Sequence, residues 1–114
     1  MSRHDPLVRV LHMRDHACEA VEMIRDAHRS DLDSNRMLCL ALTRLLEVVG
    51  EAARRVPPEF RAQYPDIPWR NISDLRNRLI HGYDKVDLDR LWNISQDELL
   101  PLIEQLENII AEHQ

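Results

Sequence analysis

The stretch Met37-Leu-Cys-Leu-Ala-Leu-Thr-Arg-Leu-Leu-Glu-Val-Val-Gly-Glu-Ala-Ala-Arg-Arg-Val56 decides the fold. Its apolar residues form two stripes at helical spacing. One is Leu38, Leu42, Leu45, Val49, Ala52 and Val56; the other is Cys39, Leu46 and Ala53, a heptad apart. A surface helix needs only one stripe. Two stripes require burial on two sides, so this helix is either the centre of a bundle or part of a subunit interface. Gly50 would admit a close neighbour, at a propensity cost of about 1 kcal/mol relative to alanine. Val56-Pro57-Pro58 stops the helix near Arg55.

The flanking segments read as helices too. Asp5-Pro6 supplies an N-cap acceptor and an N1 proline. Leu7, Val10, Ala17, Val21 and Ile24 then carry a first helix to about His28, with Arg14 where the stripe skips. Ser30 to Ser34 is a short turn, and residues 59–66 have room for one short helical turn. Pro68 opens a third helix through Trp69, Ile72, Leu75, Leu79 and Ile80, and Gly82 as a C′ residue ends it near His81. Asp87 caps a fourth helix carrying Leu91 and Ile94. Ser95-Gln-Asp-Glu98 has the capping-box pattern, before a stripe of Leu99, Leu102, Ile103, Leu106, Ile109 and Ile110. Pro101 suits a helix that restarts near Ser95; otherwise it kinks a continuous one. No strand pattern competes. The expected fold is an all-α antiparallel bundle of four to five helices, forming a single domain over residues 1–114.

Composition narrows the function. Two glycines in 114 residues exclude a Gly-rich phosphate loop. A net charge of −5 excludes a generally cationic nucleic-acid binder but leaves room for a local basic site. From Arg54 to Arg78 there are six arginines (54, 55, 61, 70, 76, 78) against three acids, whereas Leu91 to the end carries five acids and no Lys or Arg. Cys18 and Cys39, without a CxxC or a Cys/His cluster, read as reduced core residues. A polar start and the lack of a long apolar run predict a cytoplasmic protein without membrane contact.

The densest polar cluster is Asp74-Leu-Arg76-Asn77-Arg78-Leu-Ile-His81-Gly82-Tyr83-Asp84-Lys85. On a helix Asn77 neighbours His81, whereas Arg76 and His81 stand about 140° apart. That pair converges only if the backbone leaves the helix near Gly82 or if two chains build one site. The plainer reading is a solvated helix end with a histidine favoured by the dipole.

Arg76-x4-His81-x-Tyr83 resembles the R-x4-6-H motif of HEPN-domain ribonucleases, in the R-x4-H-x-Y form of the HepT-like toxins. Leu46-Glu-Val-Val-Gly-Glu-Ala-Ala-Arg-Arg-Val-Pro57, Tyr64-Pro-Asp-Ile-Pro-Trp-Arg70 and Val86-Asp-Leu-Asp-Arg-Leu-Trp92 are similar to the family's flanks, in the same order. The resemblance covers residues 1–112, most strongly 45–95. It implies a ribonuclease toxin of a type VII-like toxin–antitoxin pair, acting on RNA as a homodimer with no metal or other cofactor. Arg76 and His81 would be the catalytic pair, with Asn77 and Arg78 as supporting, RNA-binding residues. It further implies an MntA-like nucleotidyltransferase antitoxin that transfers AMP to Tyr83 and so silences the toxin. The competing class is a non-catalytic HEPN adaptor that partners a nucleotidyltransferase. The Ser30–Ser34 connection is shorter than in many relatives, which bears on specificity and not on the motif.

Other constellations carry less. His12 and His16 are spaced to chelate a metal, but lie opposite the apolar stripe and read as a solvated face. Glu47 and Glu51, also i and i+4, read as ion-pair partners, Glu51 with Arg54 or Arg55. Trp69 and Trp92 could stack bases, but read as core.

Overall fold

The computed structural model describes residues 5–83 and 85–114. Helix α1 spans Pro6–Met23, and its Asp5 cap accepts the Leu7 N–H, as the sequence predicts. It ends about five residues before His28. Beyond Ile24 the apolar stripe stops, and the Asp31 carboxylate accepts the His28 N–H, which turns the chain. The gap in the stripe is filled by Met13, fully buried, while Arg14 lies beside it partly exposed. The expected turn at Ser30–Ser34 contains a short helix, α2 (Asp31–Ser34). Arg29 pins this connection by pairing with Asp33 and, across the fold, with Asp89.

Helix α3 (Arg36–Arg54) begins at Asn35, whose side chain accepts the Leu38 N–H. Both predicted stripes are buried along most of its length. It packs on α1 on one side and on α5 (Trp69–Ser73) and α6 (Leu75–Leu79) on the other, so it is the central helix of the bundle. At Gly50 the neighbouring backbone comes so close that a Cβ would lie 2.8 Å from the Ile72 carbonyl oxygen. Only glycine fits there without a shift. After the prolines, α4 (Pro58–Arg61) seats Phe60 in the core. The Trp69 indole N–H donates to the Tyr64 carbonyl at 3.0 Å, and the ring is buried; Trp92 packs partly buried on the core.

Three expectations around the third and fourth helices are corrected. The third helix is broken at Asp74 into α5 and α6 and ends at Leu79, not near His81. The chain then becomes extended: β1 (Ile80–His81) pairs antiparallel with β2 (Lys85–Val86), in register Ile80↔Val86 and His81↔Lys85. Gly82 takes its left-handed φ of 72° inside this hairpin rather than at a helix end. Two paired residues on each side are too few to show the alternation by which a strand is read.

The third correction concerns Ser95. It is no N-cap: its buried hydroxyl donates to the Leu91 carbonyl at 2.8 Å. Helix α7 (Leu88–Asn93), capped by Asp87 as expected, runs on through a π-helical turn at Ile94–Glu98 into α8 (Leu99–Glu112). The π turn lies just ahead of Pro101, whose ring would crowd the carbonyl four residues back in a regular helix. It has a second effect. In a straight helix Glu98, a heptad after Leu91, would sit within about 20° of that fully buried side chain. The wider turn swings Glu98 out to meet Arg78 and leaves Leu99 in the core. Apart from the short hairpin the architecture is the all-α bundle expected. No helix among the described residues is long and apolar enough to cross a membrane.

Candidate functional site

The close approach at Gly50 governs where Arg76 sits. It presses the α5–α6 segment against α3, and one turn earlier on α3 stands Glu47. The Arg76 Nε lies 3.8 Å from Glu47 Oε2, a long contact in which the arginine is 75% exposed and the glutamate 25%. Glu47 is thus an ion-pair partner, as read from sequence, but across the fold rather than along the helix. Glu51 makes the expected local pair with Arg55, at 3.4 Å.

Arg76 faces a cleft of about 470 Å³ bounded by α1, α3 and the α5–α6 junction. His81 is elsewhere, exposed on β1 of the hairpin. The backbone leaves the helix at Ile80, so the 140° separation of an ideal helix does not hold. Among the described residues no hydrogen bond joins Arg76 to His81. A second cleft, lined by Arg36, Ile80, Lys85 and Val86, opens against the hairpin, and Glu47 borders both clefts.

Asn77 and Arg78 are occupied within the chain. The Asn77 amide donates to Asp74 Oδ1 at 2.6 Å, which bridges the break between α5 and α6. The Arg78 guanidinium donates to both Glu98 oxygens, at 3.0 and 2.7 Å, and reaches the Asn71 carbonyl at 3.4 Å. This two-pronged geometry is the strong form of an arginine–carboxylate pair. It ties α6 to the π turn. Sequence reading missed this partner because a regular helix would bury Glu98.

Tyr83 stands at the tip of the hairpin loop with its whole side chain exposed. Asp84, part of the sequence cluster, lies outside the described residues. The other tyrosine, Tyr64, is half-buried and donates its hydroxyl to Glu112 Oε2 at 2.9 Å. Desolvation, then the Glu112 hydrogen bond and charge, push its pKa above the ordinary value.

The His12 and His16 rings meet edge-on at 6.4 Å, and His16 Nδ1 lies 2.7 Å from the His12 carbonyl, on an exposed to half-exposed face. Among the described residues no group of three His, Cys, Asp or Glu side chains is placed to hold a metal ion. Cys18 and Cys39 are free thiols packed against the core; burial and nearby Glu107 raise the Cys18 pKa.

The fold and site together define a small helical bundle that carries an arginine on a short helix and a histidine on the hairpin that follows. Residues 13–109 match the family model described as ribonuclease HepT-like. The chain belongs to the HepT-like family. It is 31% identical over 107 residues to "Putative RNase MJ1380" of Methanocaldococcus jannaschii, covering 94% of this chain and 98% of that one. It is 33% identical over 95 residues to "Probable ribonuclease HepT" of Thermococcus cleftensis, covering 80% and 86%. No solved structure matches the chain significantly.

Proposed function

We propose that this chain is the ribonuclease toxin of a type VII-like toxin–antitoxin pair, cleaving RNA without a metal ion through Arg76 and His81. The observation that carries the reading is the placement of His81, solvent-exposed on the strand that follows the Arg76 helix, in a chain of the HepT-like family. The ribose 2′-oxygen attacks its own phosphorus, forming the O2′–P bond and breaking the P–O5′ bond. The products are a 2′,3′-cyclic phosphate and a 5′-hydroxyl. One proton leaves the 2′-oxygen and one reaches the 5′-oxygen. A histidine, with an ordinary pKa of about 6.5, is the side chain suited to carry such a proton near neutral pH. The Arg76 fork holds the phosphate and offsets charge growing on its oxygens.

Two copies of the chain form the working cleft, which brings an arginine and a histidine to one phosphate although, among the described residues, no hydrogen bond joins the two within a chain. A cognate MntA-like nucleotidyltransferase silences the toxin at Tyr83: the phenol oxygen bonds to the α-phosphorus of ATP, pyrophosphate leaves, and the phenolic proton is lost to solvent. The free exposure of Tyr83 suits a group that another enzyme must grasp. The added AMP brings bulk and negative charge beside His81, where they oppose an RNA phosphate.

The test is incubation of antitoxin-free protein with total RNA in EDTA, beside His81→Ala. Cleavage by the wild type alone supports the reading. If neither protein cleaves and intact mass shows no AMP addition, the chain is a non-catalytic adaptor.

A further inference from the structure

The cleft that Arg76 faces is lined by charge from three directions. Helix α1 contributes Arg9 and His12. Helix α3 and its C-cap contribute Arg44, Glu47, Glu51, Arg54 and Arg55, and α6 contributes Arg76. The α3 residues recur at three- and four-residue steps, so they form one stripe along the helix face left outside the core. Five arginines meet two carboxylates here in a chain whose net charge is −5.

The two carboxylates are matched, Glu51 by Arg55 and Glu47 by Arg76. Arg54 donates to the Ser73 carbonyl at 2.9 Å, which fixes its guanidinium at the cleft wall without neutralising it. Arg9 and Arg44 make no ion pair or side-chain hydrogen bond among the described residues. The cleft therefore has surplus positive charge, held on rigid helices. Arg44 and Arg54 are ten residues apart, about 15 Å along the helix axis at 1.5 Å per residue, the reach of a few nucleotides. The described lining of the cleft is more polar than apolar, and its arginines suit repeated anionic groups.

We propose that this cleft is a track for the sugar–phosphate backbone of single-stranded RNA. Arg9, Arg44 and Arg54 hold phosphates to one side of the phosphate bound by Arg76. The inference rests on the ribonuclease reading for the identity of its ligand, while its evidence is the charge pattern of α1 and α3, outside the Arg76–His81 motif. A groove of this kind follows the backbone with little regard to sequence, so selection among bases falls to other surfaces.

The experiment measures binding of a labelled oligouridylate about 12 nucleotides long, within the span such grooves cover, across a salt series. All variants carry His81→Ala, so that binding is read without cleavage. Each lost phosphate contact should reduce the slope of log affinity against log salt by about 0.7. The Arg9→Gln/Arg44→Gln pair should therefore lose about 1.4 in slope, and about 25-fold in affinity at 0.1 M salt relative to a 1 M reference. Arg25→Gln, just beyond the far end of α1 and paired with Glu22, is the charge control and should leave the slope unchanged. Unchanged binding in the double variant overturns the track, and so does an equal per-charge loss in Arg25→Gln. If the double variant behaves as expected but the protein with His81 intact never cleaves RNA, the track stands and the catalytic reading falls.

Discussion

Arg76 and Glu47 face one another at 3.8 Å across the seam between α6 and α3. Among the described residues Glu47 is the sole acid that borders both the arginine-lined cleft and the cleft against the hairpin. Its charge holds the arginine in the unbound protein and repels a phosphate that comes to the same fork. At about 4 Å two unit charges in water interact by about 1 kcal/mol, so Glu47→Gln should tighten RNA binding about fivefold. Because Arg76 is largely exposed, the same change should cost well under ~1 kcal/mol of stability. Binding isotherms on the His81→Ala background and a urea melt check the two halves. Weaker RNA binding in Glu47→Gln would mean that the carboxylate positions the arginine rather than competing for it.

Gly50→Ala tests whether the α3–α5 contact sets the arginine's place. The new Cβ would meet the Ile72 carbonyl oxygen at 2.8 Å and the Leu75 Cβ at 3.3 Å, and the first of these is backbone that cannot rotate away. Overpacking of this kind costs about 1–3 kcal/mol, partly offset by about 1 kcal/mol of helix propensity. A net loss of about 1 kcal/mol in denaturant melts is expected, together with reduced RNA cleavage, because the segment that must move carries Arg76. A stabilised variant with full activity would show the contact to be slack.

The Arg78–Glu98 pair should show measurable coupling despite its position at the surface. Arg78 is 21% exposed and bonds both carboxylate oxygens. A double-mutant cycle with Arg78→Gln and Glu98→Gln should give about 0.5–1 kcal/mol of coupling, at the upper end for exposed pairs. Zero coupling would free Arg78 for RNA in the native ensemble.

Tyr64 should titrate high. In a Tyr83→Phe variant it is the only tyrosine, and its ultraviolet ionisation midpoint should lie above the ordinary tyrosine value of about 10. The raised folded value means that the native state keeps its proton where the unfolded chain has lost it. The stability linked to this group is therefore complete below the unfolded pKa and is lost as pH rises through the folded one. Glu112→Gln removes the charged hydrogen-bond acceptor and should move the midpoint back toward the ordinary value.

Much of this fold was legible because it rests on local periodicity and caps. The two stripes of α3, the Asp5 and Asp87 caps and the glycine at the helix contact all follow from spacing and residue type. The departures come where turns and packing override a local pattern. Apolar spacing extends the first and third helices to about His28 and His81, while the chain turns earlier: the Asp31 carboxylate accepts the His28 N–H, and the Asp87 N–H donates to the Leu79 carbonyl at 2.8 Å. Ser95 offered a local capping pattern that continuous helix and core burial overrode. In the site, Arg76, Asn77, Arg78, His81 and Tyr83 could be picked out as a cluster. That Glu47 pairs with Arg76 and Glu98 with Arg78 does not follow from spacing, because both pairings are long-range and one depends on a π turn.

The hairpin carries a consequence for how this protein can change. His81 and Tyr83 ride on a ladder only two residues deep, closed at its base by the Leu79–Asp87 hydrogen bond and packed outside the central helix. Such a unit can open and reclose at a small fraction of the free energy that unfolds the bundle. Its loop can lengthen, shorten or accept a bulky substituent without asking anything of the core. The histidine and the tyrosine are thus free to diverge, or to be modified, on an independent schedule, whereas the arginine is bound to the packing of Gly50 and changes only when the bundle does.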